Sequence, residues 1–126
     1  MGAPHPHTRT PTEIVSHMGD LYGWALSIAQ GKEQWREAKL AEWNVAVDGF
    51  FAALKAFDEH LAAGIALANP AEKIFQGAVA DSLTHIGQIN ILRGMFGSAV
   101  KGESYYRAEI AIGRVGQDQA PPRREF

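Results

Sequence analysis

The sequence contains no cysteine among its 126 residues. This absence excludes disulfide bonds, catalysis by a thiolate of the protein itself, and metal sites with cysteine ligands. No apolar run approaches the roughly 20 residues that a membrane-spanning helix needs. The N-terminus, MGAPHPHTRTP, also lacks the apolar segment of a signal peptide. We therefore expect a cytoplasmic protein that does not bind membranes.

The sequence also has no large excess of positive or negative charge, since its formal net charge is -2 and its pI is about 6.2. No basic face is present, so we do not expect nucleic acid as a partner. Glycine-rich phosphate loops and serine-centred nucleophile elbows are absent too. Hydrophobic residues make up 46% of the chain, which is enough for the core of one domain.

The hydrophobic periodicity predicts an all-α fold with three long helices, over residues 10–31, 38–63 and 69–97. We expect a disordered tail over 1–9, a helical-bundle domain over 10–97, and a C-terminal arm with a loose end over 98–126. Apolar residues recur every three or four positions in the second helix, which predicts a continuous core stripe of Leu40, Trp43, Val47, Phe50, Leu54, Phe57 and Leu61. In the arm, four apolar residues are expected to pack on the body: Tyr105, Tyr106, Ile110 and Ile112.

The third helix carries polar residues within its apolar stripe. Asn69 is the expected N-cap, Pro70 the first helical residue and Gly97 the stop. The stripe consists of Ile74, Ala78, Asp81, His85, Gln88, Leu92 and Met95. On a helical wheel, His85 falls inside the apolar arc and Asp81 on its edge. Read alone, this helix fits a boundary carboxylate beside a core histidine that is hydrogen-bonded to a neighbour.

A second core-side histidine, His17, lies in the first helix, which begins with a capping box of Thr10 and Glu13. If the first and third helices pack together, His17, Asp81 and His85 can converge. Two imidazoles and a carboxylate are a usual ligand set for a catalytic zinc or a related divalent ion. Gln88, one turn beyond His85, is a candidate to orient a ligand or contact a substrate.

The run ADSLTHIGQINILRGMFG resembles the last core helix of the DinB-like superfamily of metal-binding four-helix bundles. The hallmark there is a histidine or acidic residue, three further residues, and a histidine followed closely by Gly-Gln. This chain has Asp81, three residues, and His85-Ile86-Gly87-Gln88. The stretch TPTEIVSHMGDLYGWAL resembles the other ligand-bearing helix, with His17 at the ligand position. Many members have histidine at the position of Asp81, and the isomerase branch has an acidic residue.

This resemblance covers residues 10–97 and implies a DinB-like bundle that lacks the first helix of the family. The superfamily includes mycothiol- and bacillithiol-dependent transferases and mycothiol-dependent maleylpyruvate isomerases. The resemblance therefore implies an enzyme that acts on a small molecule, with zinc or nickel as the metal and a low-molecular-weight thiol as a possible cofactor. S-transfer, isomerisation and hydrolysis all remain open. Family members are often homodimers, and the missing helix leaves an apolar side that would favour self-association.

The alternative belongs to another class of function. The bundle would then be a structural or interaction module, without catalysis, in which the histidines and the aspartate are remnants of a degenerate metal site. Removal of either histidine separates the two interpretations. Loss of a metal ligand abolishes metal binding and leaves the fold intact, whereas loss of a core residue disrupts folding.

Overall fold

A computed structural model describes residues 1–126 and confirms an all-α architecture. The first helix, α1, spans Pro11–Ala29, and the second, α2, spans Trp43–Ala62. A third helical run comprises Ala71–Ile74, a π-helical segment Phe75–Val79, and Ala80–Met95. We call this run, residues 71–95, α3. No helix is both long enough and apolar enough to cross a membrane.

The helix α1 begins and ends as the sequence predicts. The Thr10 hydroxyl accepts from the Glu13 backbone N–H at 3.2 Å, and the Glu13 carboxylate accepts from the Thr10 N–H at 3.3 Å. This reciprocal pair is a capping box and satisfies backbone donors that a helix start leaves free. At the other end, Gly31 has a φ of 75°, a left-handed conformation in which glycine avoids the strain of a side chain.

The segment between α1 and α2 runs back along α1 in an extended conformation. The Gln34 N–H donates to the Ser27 hydroxyl at 3.0 Å, and the Ala38 N–H donates to Asp20 Oδ1 at 3.1 Å. The prediction that the second helix starts at 38 is therefore wrong, because the Ala38 N–H is held by Asp20 and the helix starts at Trp43. Long connections of this kind leave the two helices that they join parallel.

Contacts along the two helices confirm that α1 and α2 run in parallel. Gly19 lies against the backbone of Phe50, where a Cβ on the glycine would come within 3.4 Å of the Phe50 Cα. Further along both helices, the rings of Tyr22 and Phe57 have centroids 6.0 Å apart. The absence of a side chain at Gly19 thus allows close approach at the crossing.

The helix α3 runs antiparallel to α1. Its start differs from the prediction, because Pro70 is the N-cap and the Asn69 side chain instead donates to the Ile28 carbonyl at 2.9 Å. The π-helical segment widens one turn and rotates the residues after it. The buried residues that follow are Ser82, His85 and Leu92, so Ser82 faces α1, and Asp81 is exposed at the edge where the helical wheel predicts it.

The core is centred on α1, with α2 on one side and α3 on the other. No Cα atom of α2 comes within 8 Å of one in α3. Residues of the predicted α2 stripe are consequently less buried than expected: Phe57 is buried, whereas Leu40, Trp43 and Leu61 are exposed. An apolar side of the bundle is therefore uncovered.

The C-terminal segment 98–126 forms a loop that closes on itself. Its ends are joined by an antiparallel bridge between Glu103 and Glu125, and the Phe126 N–H donates to the Gly102 carbonyl at 2.9 Å. The prediction that this segment's apolar residues pack on the body is wrong, because all four are exposed: Tyr105, Tyr106, Ile110 and Ile112. At its start the segment is held to α3, because the Ser98 N–H donates to the Arg93 carbonyl at 2.8 Å. The prediction of a disordered tail over 1–9 and of a domain over 10–97 stays a prediction.

Candidate metal centre

The structure brings His17, Asp81 and His85 together at the interface of α1 and α3. One ligand atom from each residue lies within 4.8 Å of the other two. His17 Nε2 is 3.7 Å from Asp81 Oδ2, and His85 Nε2 is 3.5 Å from Asp81 Oδ1. The two imidazole rings meet edge to face, with centroids 4.8 Å apart and planes at 89°. The convergence that the sequence predicts is thus present.

Two structural features fix how α1 and α3 meet beside this cluster. Ser82, one residue after Asp81, is fully buried, and its hydroxyl donates to the Val79 carbonyl at 2.8 Å. Because the single hydroxyl proton of Ser82 is used there, the Tyr22 hydroxyl donates to Ser82 Oγ, at 2.7 Å. This bond joins the helices one turn from His85. The π-helical segment ends at Val79 and sets the rotation of Asp81 and His85 towards α1.

Exposure is graded across the three residues. The side chain of His85 is 10% exposed, that of His17 22% and that of Asp81 47%. The sequence prediction of a buried histidine with a carboxylate at the rim is therefore confirmed. A site of this shape has two ligands held by packing and one side open to small molecules.

The tautomer of His85 follows from its contact with Gln88. His85 Nδ1 is 2.7 Å from Gln88 Oε1. An amide oxygen only accepts hydrogen bonds, so Nδ1 must carry the proton. In the neutral ring, Nε2 then presents its lone pair to Asp81. Orientation of a ligating histidine by a hydrogen bond at its other nitrogen is the usual arrangement in metal sites.

The distances fit a divalent ion. Ligand bonds of about 2.1 Å at a tetrahedral angle place neighbouring ligand atoms about 3.4 Å apart. The two pairs that include Asp81, at 3.5 and 3.7 Å, lie near this separation through its two different oxygens, and one ligand atom from each of the three residues lies within 4.8 Å of the others. A lone pair of neutral His85 facing a carboxylate oxygen is repulsive unless a cation lies between them or the ring gains a second proton. A positive charge between these ligand atoms would therefore stabilise the arrangement.

The electrostatics of His17 favour its neutral form, which is the form that binds metals. Burial has the largest effect and lowers the pKa of His17 below its usual value of 6.5. The positive charge of Arg9 and the ring of His85 lower the pKa further, while Asp81 and Asp20 act in the opposite direction. A neutral imidazole at physiological pH needs no proton release before it binds an ion.

Trp35, in the extended segment, lies over His17 on the solvent side. The ring centroids of His17 and Trp35 are 5.7 Å apart, and those of Trp35 and Trp24 are 6.0 Å apart. Sequence reasoning missed this neighbour because 32–37 reads as a polar loop without periodicity. Asp20 accepts from the Ala38 N–H of the same extended segment, and burial raises the pKa of its carboxyl.

Comparisons of the chain with family models, with curated proteins and with solved structures found no match. The case for a metal centre therefore rests on the geometry and chemistry of the four residues, His17, Asp81, His85 and Gln88.

Proposed function

We propose that the chain is a divalent-metal protein of the DinB-like type, with His17, Asp81 and His85 as the ligands. The observation that carries the proposal is the convergence of the three side chains, since one ligand atom from each lies within 4.8 Å of the other two. With Nδ1 donating to Gln88, a neutral His85 presents the lone pair of Nε2 to a carboxylate across from a second imidazole. Zinc and nickel are the metals that we propose, because two imidazoles and one carboxylate suit both.

We further propose an enzyme that acts on a small molecule by thiol-dependent transfer or isomerisation, with hydrolysis as the nearby variant. A bound metal would supply Lewis acidity, which stabilises a cofactor thiolate or activates water. Because the chain has no cysteine, the thiol must come from a low-molecular-weight cofactor. The residues described here hold the site: His17 and His85 fix it from two helices, Gln88 orients His85, and exposed Asp81 leaves one side open.

A homodimer is part of the same proposal. Apolar side chains at Phe75, Leu83 and Ile86 lie exposed on α3, and Val79 between them is only partly buried. Their spacing of four, four and three residues places them on one helix face. A second copy packed on this face by two-fold symmetry would cover the same residues in both chains.

Isothermal titration calorimetry of zinc into the metal-free protein tests the metal site. We expect one zinc per chain, and loss of that binding in Asp81→Asn and in His17→Ala. Asp48→Asn, an exposed carboxylate on α2, is the matched control and should bind as the parent does. The proposal fails if the two site variants bind zinc like the control. A folded parent that binds no metal would favour the scaffold alternative.

A further inference from the structure

A cavity of about 500 Å³ lies between the N-terminal segment and the C-terminal half of α3. Its apolar wall consists of Ile14, Ile91, Leu92 and Met95, and polar groups come from Gln88 and Arg9 together with the segment around His7. Pockets of about 300–1,000 Å³ that are largely apolar with a few polar groups are typical of small-molecule sites. The cavity therefore has the size and lining for a small organic molecule.

This cavity adjoins the metal cluster through two residues. Gln88 lines it and is hydrogen-bonded to His85. Arg9 lines it and also lines a shallower cleft of about 240 Å³ that contains His17. A molecule in the cavity would thus lie between Arg9 and the ligand-orienting amide of Gln88.

The charges on the two sides of Arg9 differ. The cleft that contains His17 is lined by three carboxylates, Glu13, Asp20 and Glu37. The apolar cavity has no acidic residue in its lining. Arg9 takes part in none of the ion pairs of the chain and donates no side-chain hydrogen bond, unlike Arg123, which pairs with Glu109 at 2.8 Å. An anion would therefore be attracted to Arg9 from the cavity side.

We propose that this cavity binds the substrate of the metal site as a small molecule with a carboxylate on Arg9 and an aliphatic body against Ile91 and Met95. This inference rests on the proposed metal-dependent function. The guanidinium offers a fork of donors that matches a carboxylate and binds it in two places. Ile91 and Met95 are exposed in the free chain, so an aliphatic group that covers them removes apolar surface from water.

Binding of short fatty acids to the zinc-loaded full chain tests the proposal. The binding is measured by chemical-shift changes in NMR spectra. The probes are acetate, butyrate and hexanoate, with hexanamide and hexylamine as uncharged and cationic counterparts of the same length. We expect affinity to rise with chain length among the acids, and hexanoate to bind about tenfold more tightly than hexanamide. Equal binding of hexanoate and hexanamide, or tighter binding of hexylamine, would overturn the assignment of Arg9.

Two variants and one control locate the site. Arg9→Met keeps an unbranched apolar stem without the guanidinium and should weaken hexanoate binding about tenfold, to the level of hexanamide. Ile91→Ser should remove the dependence on chain length. Arg107→Met, an arginine of the C-terminal loop that also forms no ion pair, should bind as the parent does. Hexanoate binding that is unchanged in Arg9→Met, or absent in the parent, overturns the proposal.

The metal content of the same samples separates the two proposals. If the parent holds zinc and Arg9→Met holds as much, failure to bind hexanoate counts against the cavity alone. If no sample holds zinc, the proposed function fails. Saturable hexanoate binding to the metal-free chain that depends on Arg9 would then show a carboxylate site without its metal, and would overturn the link between the two.

Discussion

Gln88 Oε1 lies 2.7 Å from His85 Nδ1 and thereby turns the other nitrogen of the ring towards Asp81 and His17. This contact spans less than one helical turn and stands at the edge of the bundle, where Gln88 is exposed. It makes the tautomer of a buried histidine depend on a residue that can be changed without disturbing the core.

Replacement of Gln88 should change metal affinity while leaving the fold intact. We predict that Gln88→Leu binds zinc 10–100-fold more weakly, about the range found when a ligand's hydrogen-bond partner is removed. Gln88→Glu, which still accepts from Nδ1, should stay close to the parent. Competition with a chromophoric chelator measures both affinities. Parent-like binding by Gln88→Leu would show that the amide has no role in orienting His85.

The hydrogen bond from Tyr22 to Ser82 should stabilise the contact of α1 with α3. Tyr22→Phe removes it and should lower the free energy of unfolding by about 1 kcal/mol. Ser82→Ala should cost more, about 1–3 kcal/mol, because it leaves the Tyr22 hydroxyl buried without a partner. The double variant should cost less than the sum, since both changes remove one interaction.

Urea unfolding of the four proteins measures these differences. Thr84→Ala is the matched control, because its hydroxyl also donates to a carbonyl within α3 but on the exposed face. We expect a change within about 0.5 kcal/mol for that control. Strict additivity of the Tyr22 and Ser82 variants would contradict the shared bond.

The lowered pKa of His17 predicts how the metal-free protein responds to acid. Below pH 6.5 the unfolded chain binds a proton at this residue, while the folded chain does not until the pH reaches the lower folded pKa. The free energy of unfolding should therefore fall as the pH drops through this window and level off below it. His17→Gln should lose this dependence. NMR titration of His17 checks the direction, and a folded pKa at or above 6.5 would contradict it.

Self-association is expected to depend on the exposed face of α3. We predict that the parent sediments as a dimer, and that Leu83→Lys combined with Ile86→Lys yields a monomer with unchanged helical circular dichroism. Thr84→Lys, an exposed polar position between them, should remain dimeric. Buried lysines cost far more than lysines at a polar rim, which is why the variants should differ. A monomeric parent would exclude this interface.

Local patterns in the sequence predict much of the framework. The capping box at Thr10 and the helix stop at Gly97 both appear in the structure, where Gly97 has a positive φ. These features depend only on neighbouring residues, so they can be predicted from local sequence patterns. The convergence of His17 with Asp81 and His85 was also predictable, because each residue falls near an apolar arc of its own helix.

The remaining differences arise from tertiary contacts. The start of α2 depends on Asp20 holding the Ala38 N–H, a bond between residues 18 positions apart. The burial of Ser82 follows a π-helical turn, for which helical periodicity gives no indication. The proximity of Trp35 to His17 results from the path of an extended segment without repeating pattern. A helical wheel shows the periodicity of one helix only, so it predicts none of these three features.

Metal content per chain tests the central claim most directly. The measurement is elemental analysis of protein purified without a histidine tag, beside His85→Ala and a His5→Ala/His7→Ala double variant. The double variant removes the two exposed histidines of the N-terminal segment, whose rings lie 5.3 Å apart and offer an adventitious site. We predict nearly one zinc or nickel per chain in the parent and in the double variant, and none in a folded His85→Ala. Metal that disappears with His5 and His7 and persists without His85 would contradict the account.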